Sequence, residues 1–484
     1  LGILLIFIYM IFYYRFPGVI AAITLSIYVY LVLLVFQLMN GVLTLPGIAA
    51  LVLGVGMAVD ANIITYERIK EEIKEGKSVK AAFKAGNQHS LSTIFDANIT
   101  TMIAAAVLFI FGTSSVKGFA TLLMVSIVLS FITAVFGSRL FLGFWVNSNM
   151  LNKRPGWFGV KQDQILDINS GEEVEPTIKF DFVKHRKKFF SISIGLVVIG
   201  IACLALFRLN LGLDFTAGSR VEVLADKTLT SEEIEEEFET LDLEVSAPIV
   251  LSGDNENIAV ARFSDELSQD KVSVVRSHFE EKYGSEPTVN TVSNVVGQEL
   301  AKNAVLAVLY ASIGIIIYVT IRFEFYSALT AILALLHDAF FIIALFSITR
   351  LEFDITIIAA ILTIVGYSIN DTIVTFDRIR ENLKKKKKIK SFAELAKIIN
   401  HSLMQTLARS INTVLTVIFA AFMLFIFGAN AITNFSFALI VGLIAGTYSS
   451  LFIAAQVWLV WRGKSIKEKP IVYQEKKYND GPQV

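Results

Sequence analysis

The chain has 484 residues, 54% of them apolar, with 43 basic side chains balancing 43 acidic ones and a mean hydropathy of +0.62. A soluble globular protein of this size does not carry so apolar a composition, so the chain reads as a polytopic membrane protein. One cysteine, Cys203, excludes internal disulfide chemistry.

Segments apolar enough to cross a bilayer, at about 20 residues each, fall near 18–39, 44–66, 97–112, 118–142, 189–207, 302–321, 326–347, 353–376, 406–427 and 432–460. An apolar half-segment, Leu1 to Tyr14, precedes them. It does not start with Met and has no basic n-region, so it is expected to be the cut edge of a longer chain rather than a signal peptide. Basic stretches at 67–84, 139–188, 378–397 and 462–477 mark the cytoplasmic side. Threading the helices through them puts 209–300 outside and the C-terminus inside. The "KKKKK" run is then a topology signal on a solvated or lipid-facing loop, not a nucleic-acid patch.

Between the helices ending near 207 and starting near 302, the polarity alternates. "SRVEVLA", "APIVLS", "NIAVARF" and "EPTVNTVSNVV" read as strands, "TSEEIEEEFETLD" and "SQDKVSVVRSHFEEKYG" as helices. The order β-α-β-β-α-β predicts a small α+β ferredoxin-like domain outside the membrane.

Two stretches repeat. "GMAVDANIITYERIKEE" at 56–72 has the layout of "GYSINDTIVTFDRIREN" at 366–382, with Asp60 set against Asn370 and Asp371, and each leads through a basic loop to a helix containing "FIFG", at 109–112 and 425–428. Six crossings separate the copies. They therefore run in the same direction and predict two parallel, pseudo-twofold-related helix bundles.

An ionisable group in hydrocarbon is expensive unless paired or hydrated, and so marks an ion path or a contact inside the bundle. Asp60 and Asp371 lie too deep to snorkel. They are either buried structural acids or protonatable gates, and the second is the reading adopted. On 406–427, Arg409, Asn412, Thr413 and Thr416 share one face. Arg409 either snorkels to the inner face or neutralises Asp371 or Asp60, releasing when the acid is protonated. Asp96 occupies the matching helix with Asn98, Thr100 and Thr101, and is placed opposite Arg409. His337 and Asp338, midway along 326–347, form a further polar pair that either relays protons or is a hydrogen-bonded bundle contact. No ligand spacing for a metal accompanies them. The sequence carries no Walker, dinucleotide, zinc-protease or nucleophile-elbow pattern. The chain is therefore expected to be no enzyme, to bind no cofactor, and to draw the energy for any work it does from an ion gradient.

"LGLDFTAGS" at 211–219, with the two repeated stretches and "GTYSSLFIA" at 446–454, resembles the SecD and SecF accessory subunits of the Sec protein-export machinery, fused in one polypeptide of the resistance-nodulation-division superfamily. The resemblance covers essentially the whole chain. It implies a SecD-like bundle over 1–146, a cytoplasmic linker 147–180, a first SecF-like helix 181–210, an extracytoplasmic domain 211–300, a SecF-like bundle 301–462 and a cytoplasmic tail 463–484. A SecD-type first helix and large outer domain are not matched, and Ala217 stands where the family has Gly. The function implied is gradient-driven assistance of late preprotein export across the bacterial cytoplasmic membrane. Its expected partners are the SecY-E-G channel, the SecA ATPase, the preprotein, a membrane insertase and membrane lipids. Asp60, Asp371 and Arg409 fall on the family's membrane charges, with Asn370, Asp96, His337, Asp338 and Thr413 as further candidates. An efflux pump of the same superfamily and a non-transporting scaffold are the rival readings.

Overall fold

The computed structural model describes residues 1–112, 114–148, 150–151, 154–167, 180–253, 255–386, 388–466 and 471–472. Most of the expected tail 463–484 and the 168–179 part of the linker lie outside these described residues. The helices α1 (Gly2–Tyr14), α2 (Phe16–Leu38), α3 (Leu45–Lys74), α4 (Val79–Phe111) and α5 (Ser114–Ser130) come first, and a π turn over Phe131–Gly137 joins α5 to α6 (Ser138–Asn147). Next come α7 (Arg186–Phe207), β1 (Asn210–Leu211), α8 (Leu213–Thr216), β2 (Gly218–Leu224), α9 (Ser231–Thr240), β3 (Val250–Ser252), β4 (Ile258–Phe263), α10 (Gln269–Tyr283) and β5 (Thr288–Val292). The chain then forms α11 (Asn294–Arg322), α12 (Phe325–Thr349), β6 (Glu352–Phe353), α13 (Ile355–Lys385), β7 (Lys388–Ile389), α14 (Phe392–Phe427) and α15 (Asn430–Ser449). A second π turn, Ser450–Ala454, leads to α16 (Ala455–Lys464) and β8 (Ile471–Val472).

Among the described residues, ten helical stretches are long and apolar enough to cross a membrane. The acid-bearing helices are the most enclosed: 94% of the apolar window of α13 and 78% of that of α3 is buried inside the protein, against 11% for α7. Helices α4 and α14 begin well before their apolar windows, capped by Ser78 and Ser391, whose hydroxyls accept from the amides of Ala81 and Glu394. Hydropathy marks the part of a helix that suits lipid, whereas the caps and the continuous hydrogen-bond ladder set its real length. That is why the segments expected at 97–112 and 406–427 are each more than a turn too short.

Contacts divide the chain into a helical unit (Leu1–Arg208, Ala307–Thr349, Ala359–Val484) and a smaller α+β unit (Leu209–Leu306, Arg350–Ile358). In the α+β unit, four antiparallel strands run in the order β3-β4-β2-β5, and α9 and α10 supply Ile234, Phe238, Val275 and Phe279 to a core with Val221, Val223 and Ala261. The last strand is shorter than the sequence suggests, because Asn294 and the valines after it start α11. A short parallel pair, β1 with β6, had no signature in the sequence.

The turn into β2 explains the residues around Ala217. Gly218 has φ +109°, and a Cβ there would sit 2.2 Å from the carbonyl oxygen of Phe263. Ala217 has φ 60° and ψ 176°, a region that is essentially glycine-only and costs roughly 1–3 kcal/mol for other residues. Ala217→Gly is therefore expected to stabilise the α+β unit by about 1 kcal/mol and Gly218→Ala to destabilise it by more, both read from thermal unfolding midpoints.

Candidate functional site

Helices α3, α13 and α14 bring three charges together. Gly56 permits this approach: a Cβ there would lie 2.9 Å from the Val417 side chain of α14. Asp60 is 3% exposed; its Oδ1 accepts from Thr413 Oγ1 at 2.7 Å and its Oδ2 from Asn370 Nδ2 at 2.7 Å. The two partners across this last bond are the equivalent positions of the two repeats, 310 residues apart. Asp371, 5% exposed, accepts from Ser410 Oγ at 2.6 Å. Arg409 lies between the acids, Nη2 at 3.6 Å from Asp60 Oδ1 and Nη1 at 3.9 Å from Asp371 Oδ1, so it pairs with both and hydrogen-bonds to neither.

Around this centre the side chains are polar, buried and incompletely satisfied. Among the described residues, Asp371 Oδ2, Arg409 Nε and Nη1, Asn370 Oδ1 and Tyr367 OH have no hydrogen-bond partner. A native interior seldom tolerates so many orphans in one place unless water or an ion visits it. A cavity of about 400 Å³ reaches Arg409 and Thr406 from one side, lined by Arg68, Glu71, Arg378 and Glu381 among others. These four form a closed ring across the repeats: Arg68 bonds Glu71 at 3.0 Å and Glu381 at 2.7 Å, and Arg378 bonds Glu381 at 3.3 Å and also Glu71. The paired "ERIKEE" and "DRIREN" endings of the two repeats are its signal in the sequence.

The other candidates disperse. Asp96 does not join the central cluster; it accepts from Tyr318 OH at 2.8 Å and pairs with Arg322 at 2.6 Å, both on α11. Its placement opposite Arg409 is corrected by counting back from the two "FIFG" ends, which are 428 − 112 = 316 residues apart and close the uninterrupted helices α4 and α14. Thr93 is the counterpart of Arg409, and Asn412 that of Asp96. Thr93 donates to Asp377 at 2.9 Å and Asn412 to Glu67 at 3.3 Å, which are themselves equivalent acids in the repeat. His337 and Asp338 lie on α12 against α13 and α15, apart from Arg409.

In the α+β unit, two more carboxylates cap the start of α13. Asp214 accepts from the Ile355 amide at 3.1 Å, and Asp354 from the amides of Thr356 at 2.8 Å and Ile357 at 3.3 Å. Burial, with the neighbouring Asp214 and Glu352 charges, pushes the Asp354 carboxyl up to about 6 against the opposing Thr356 bonds. Because the folded state holds this proton more tightly than the unfolded chain, the contribution is fully present below the unfolded value near 3.8. It is lost as pH rises to about 6, a change on the order of 3 kcal/mol. Asp354→Asn should flatten that part of the thermal-stability profile; an unchanged slope between pH 4 and 6 would contradict it.

With this geometry established, comparison with known proteins is direct. Residues 1–148 and 273–464 match the family described as protein export membrane protein SecD/SecF, C-terminal, and residues 204–229 match the SecD/SecF GG motif. The chain is 60% identical over 471 residues to the protein translocase subunit SecDF of Bacillus subtilis (strain 168), covering 96% of this chain and 64% of that protein. It is 42% identical over 294 residues to SecF of Alicyclobacillus acidocaldarius, covering 60% of this chain and 95% of that one. The crystal structure of SecDF from Thermus thermophilus, a translocon-associated membrane protein, matches with a TM-score of 0.83 at 31% identity over 95% of this chain and 61% of its own. SecDF in a super-membrane-facing form matches at 0.72 and 29%, over 96% and 61%. The chain thus spans less than two thirds of the length of the SecDF proteins it matches.

Proposed function

The chain belongs to the SecD/SecF family of protein-export membrane proteins, and from that premise we propose that it is the membrane motor of a Sec translocase subunit, driven by a proton or sodium gradient across the bacterial cytoplasmic membrane. The observation that carries the reading is one arginine shared by two buried acids. With both acids ionised, Asp60, Asp371 and Arg409 sum to one negative charge in a region where an unneutralised charge costs several kcal/mol. One monovalent cation makes the cluster neutral. Whichever acid takes that cation, Arg409 turns to the other, so loading and release switch the pairing between α3 and α13.

In this reading α13, which carries Asp371 and whose first turn is capped by Asp214 and Asp354, passes the switch on to the α+β unit. The natural partners in this reading are the Sec channel, its ATPase and a preprotein already part-way across.

The test uses the full-length protein in vesicles with the Sec channel and a preprotein stalled by withdrawing ATP. Export should resume when a cation gradient is imposed, and imposing proton and sodium gradients separately identifies the ion. If export resumes under neither gradient, the motor reading is wrong.

A further inference from the structure

Another buried acid of the helical unit is not used by this cluster. Asp338 on α12 is 1% exposed and has three hydrogen-bond partners: Ser368 Oγ of α13 and Ser449 Oγ of α15 donate to its Oδ2 at 2.6 and 2.7 Å, and His337 Nδ1 lies 3.1 Å from its Oδ1. Its charge partner is His337. The imidazole lies beside Phe341, stacked at 6.3 Å, and Tyr448 at 6.1 Å, and its buried Nε2 has no hydrogen-bond partner among the described residues.

We propose that His337 and Asp338 form a second proton-binding site, a dyad that holds one proton between its two side chains and exchanges it through His337 Nε2. Charge balance argues for one proton. Without it, the pair would place a full negative charge in the hydrocarbon span with only neutral donors around it. With it, two arrangements fit the same heavy-atom geometry: a neutral carboxyl donating to Nδ1, or an imidazolium donating to a carboxylate. Both keep Oδ2 as the acceptor of the two serine hydroxyls, and both leave a hydrogen on Nε2 pointing away from Asp338. The proton thus moves along the Oδ1 to Nδ1 contact without rearranging Ser368 or Ser449.

The groups that face the dyad leave it this role. From α13 comes Ser368, while Asp371, three residues on, bonds Ser410 of α14. From α15 come Tyr448, whose hydroxyl bonds Ser193 of α7 at 2.9 Å, and Ser449. The π turn Ser450–Ala454 carries no charged side chain. Its Ser450 meets Thr372 at 2.9 Å and also faces Asp371, whose Oδ2 is unpartnered. The charges of α16 sit at its far end, where Arg462 pairs with Glu324. The dyad and Asp371 are therefore flanked by adjacent hydroxyls, Ser449 and Ser450, at a π turn, a feature often found at functional sites. The dyad's place in the motor rests on the gradient-driven reading, whereas its proton does not.

The test counts protons at equilibrium, with no gradient and no channel. The full-length protein in detergent is titrated across neutral pH, and protons released per chain are read with a pH dye, alongside the infrared carboxyl band. Asp338→Asn should release one proton fewer than wild type, and His337→Gln, which keeps a donor toward Asp338 but takes no proton, should lose the same one. Asp371→Asn should remove a different proton and leave this one in place. If His337→Gln releases as many protons as wild type, the imidazole takes no part in holding or exchanging that proton and the proposal fails, whether or not Asp338→Asn folds. Failure of gradient-driven export with an intact dyad proton would instead count against the motor reading alone.

Discussion

Replacing Asp60 with Asn leaves the protein folded and reduces gradient-stimulated export to the level seen with no gradient. The substitution conserves volume, and the new carbonyl still accepts from Thr413. The new amide nitrogen would face the Asn370 amide nitrogen, two donors in conflict, but Asn370 Oδ1 is buried without a partner, so a flip of the Asn370 amide restores the bond. What changes is the charge. Arg409 and Asp371 are then a neutral pair, no cation is needed, and Arg409 has one acid left to serve. Stability should be equal to or slightly above wild type, since removing a surplus buried charge is favourable. Export that still responds to the gradient in this variant would show Asp60 to be structural.

Arg409→Leu produces the largest loss of stability. It leaves Asp60 and Asp371 buried with no cation near either, and breaking a buried pair from one side costs about 3–5 kcal/mol. The loss should be partly recovered in the double variant with Asp371→Asn, because the two positions share one electrostatic problem and their effects cannot add. Thermal unfolding in detergent at neutral pH measures this. Strict additivity of the two substitutions would show that Arg409 is not the counterion of Asp371.

Much of this arrangement was legible in the residues. The duplicated stretches aligned Asp60 with Asn370 and Asp371 and made two parallel bundles the expectation; that the aligned positions meet in a direct bond between Asp60 and Asn370 is seen only in the structure. The alternation of 219–296 carried the strand and helix order, because period-2 and period-3.6 patterns are properties of the local chain. Contacts made between helices were not legible. Asp96 was set against Arg409 by similarity of neighbours, yet its partner Arg322 comes from α11, 226 residues away, and no local pattern encodes that pairing. Each half of the ring of Arg68, Glu71, Arg378 and Glu381 has the composition of an ordinary charged helix end, and only its closure across the repeats distinguishes it. The departure from the family's Gly at Ala217 was legible and carried no sign of strain; the φ of 60° that strains it needed the backbone.

The central claim is that the membrane acids take up the driving cation. The most direct measurement places the full-length protein in vesicles holding a trapped pH dye or a sodium dye, imposes the matching gradient, and follows cation entry for wild type and Asp371→Asn. The account predicts entry of one of the two ions with wild type and only the leak of protein-free vesicles with the variant. Equal entry through both proteins would contradict it, as would no entry of either ion with wild type.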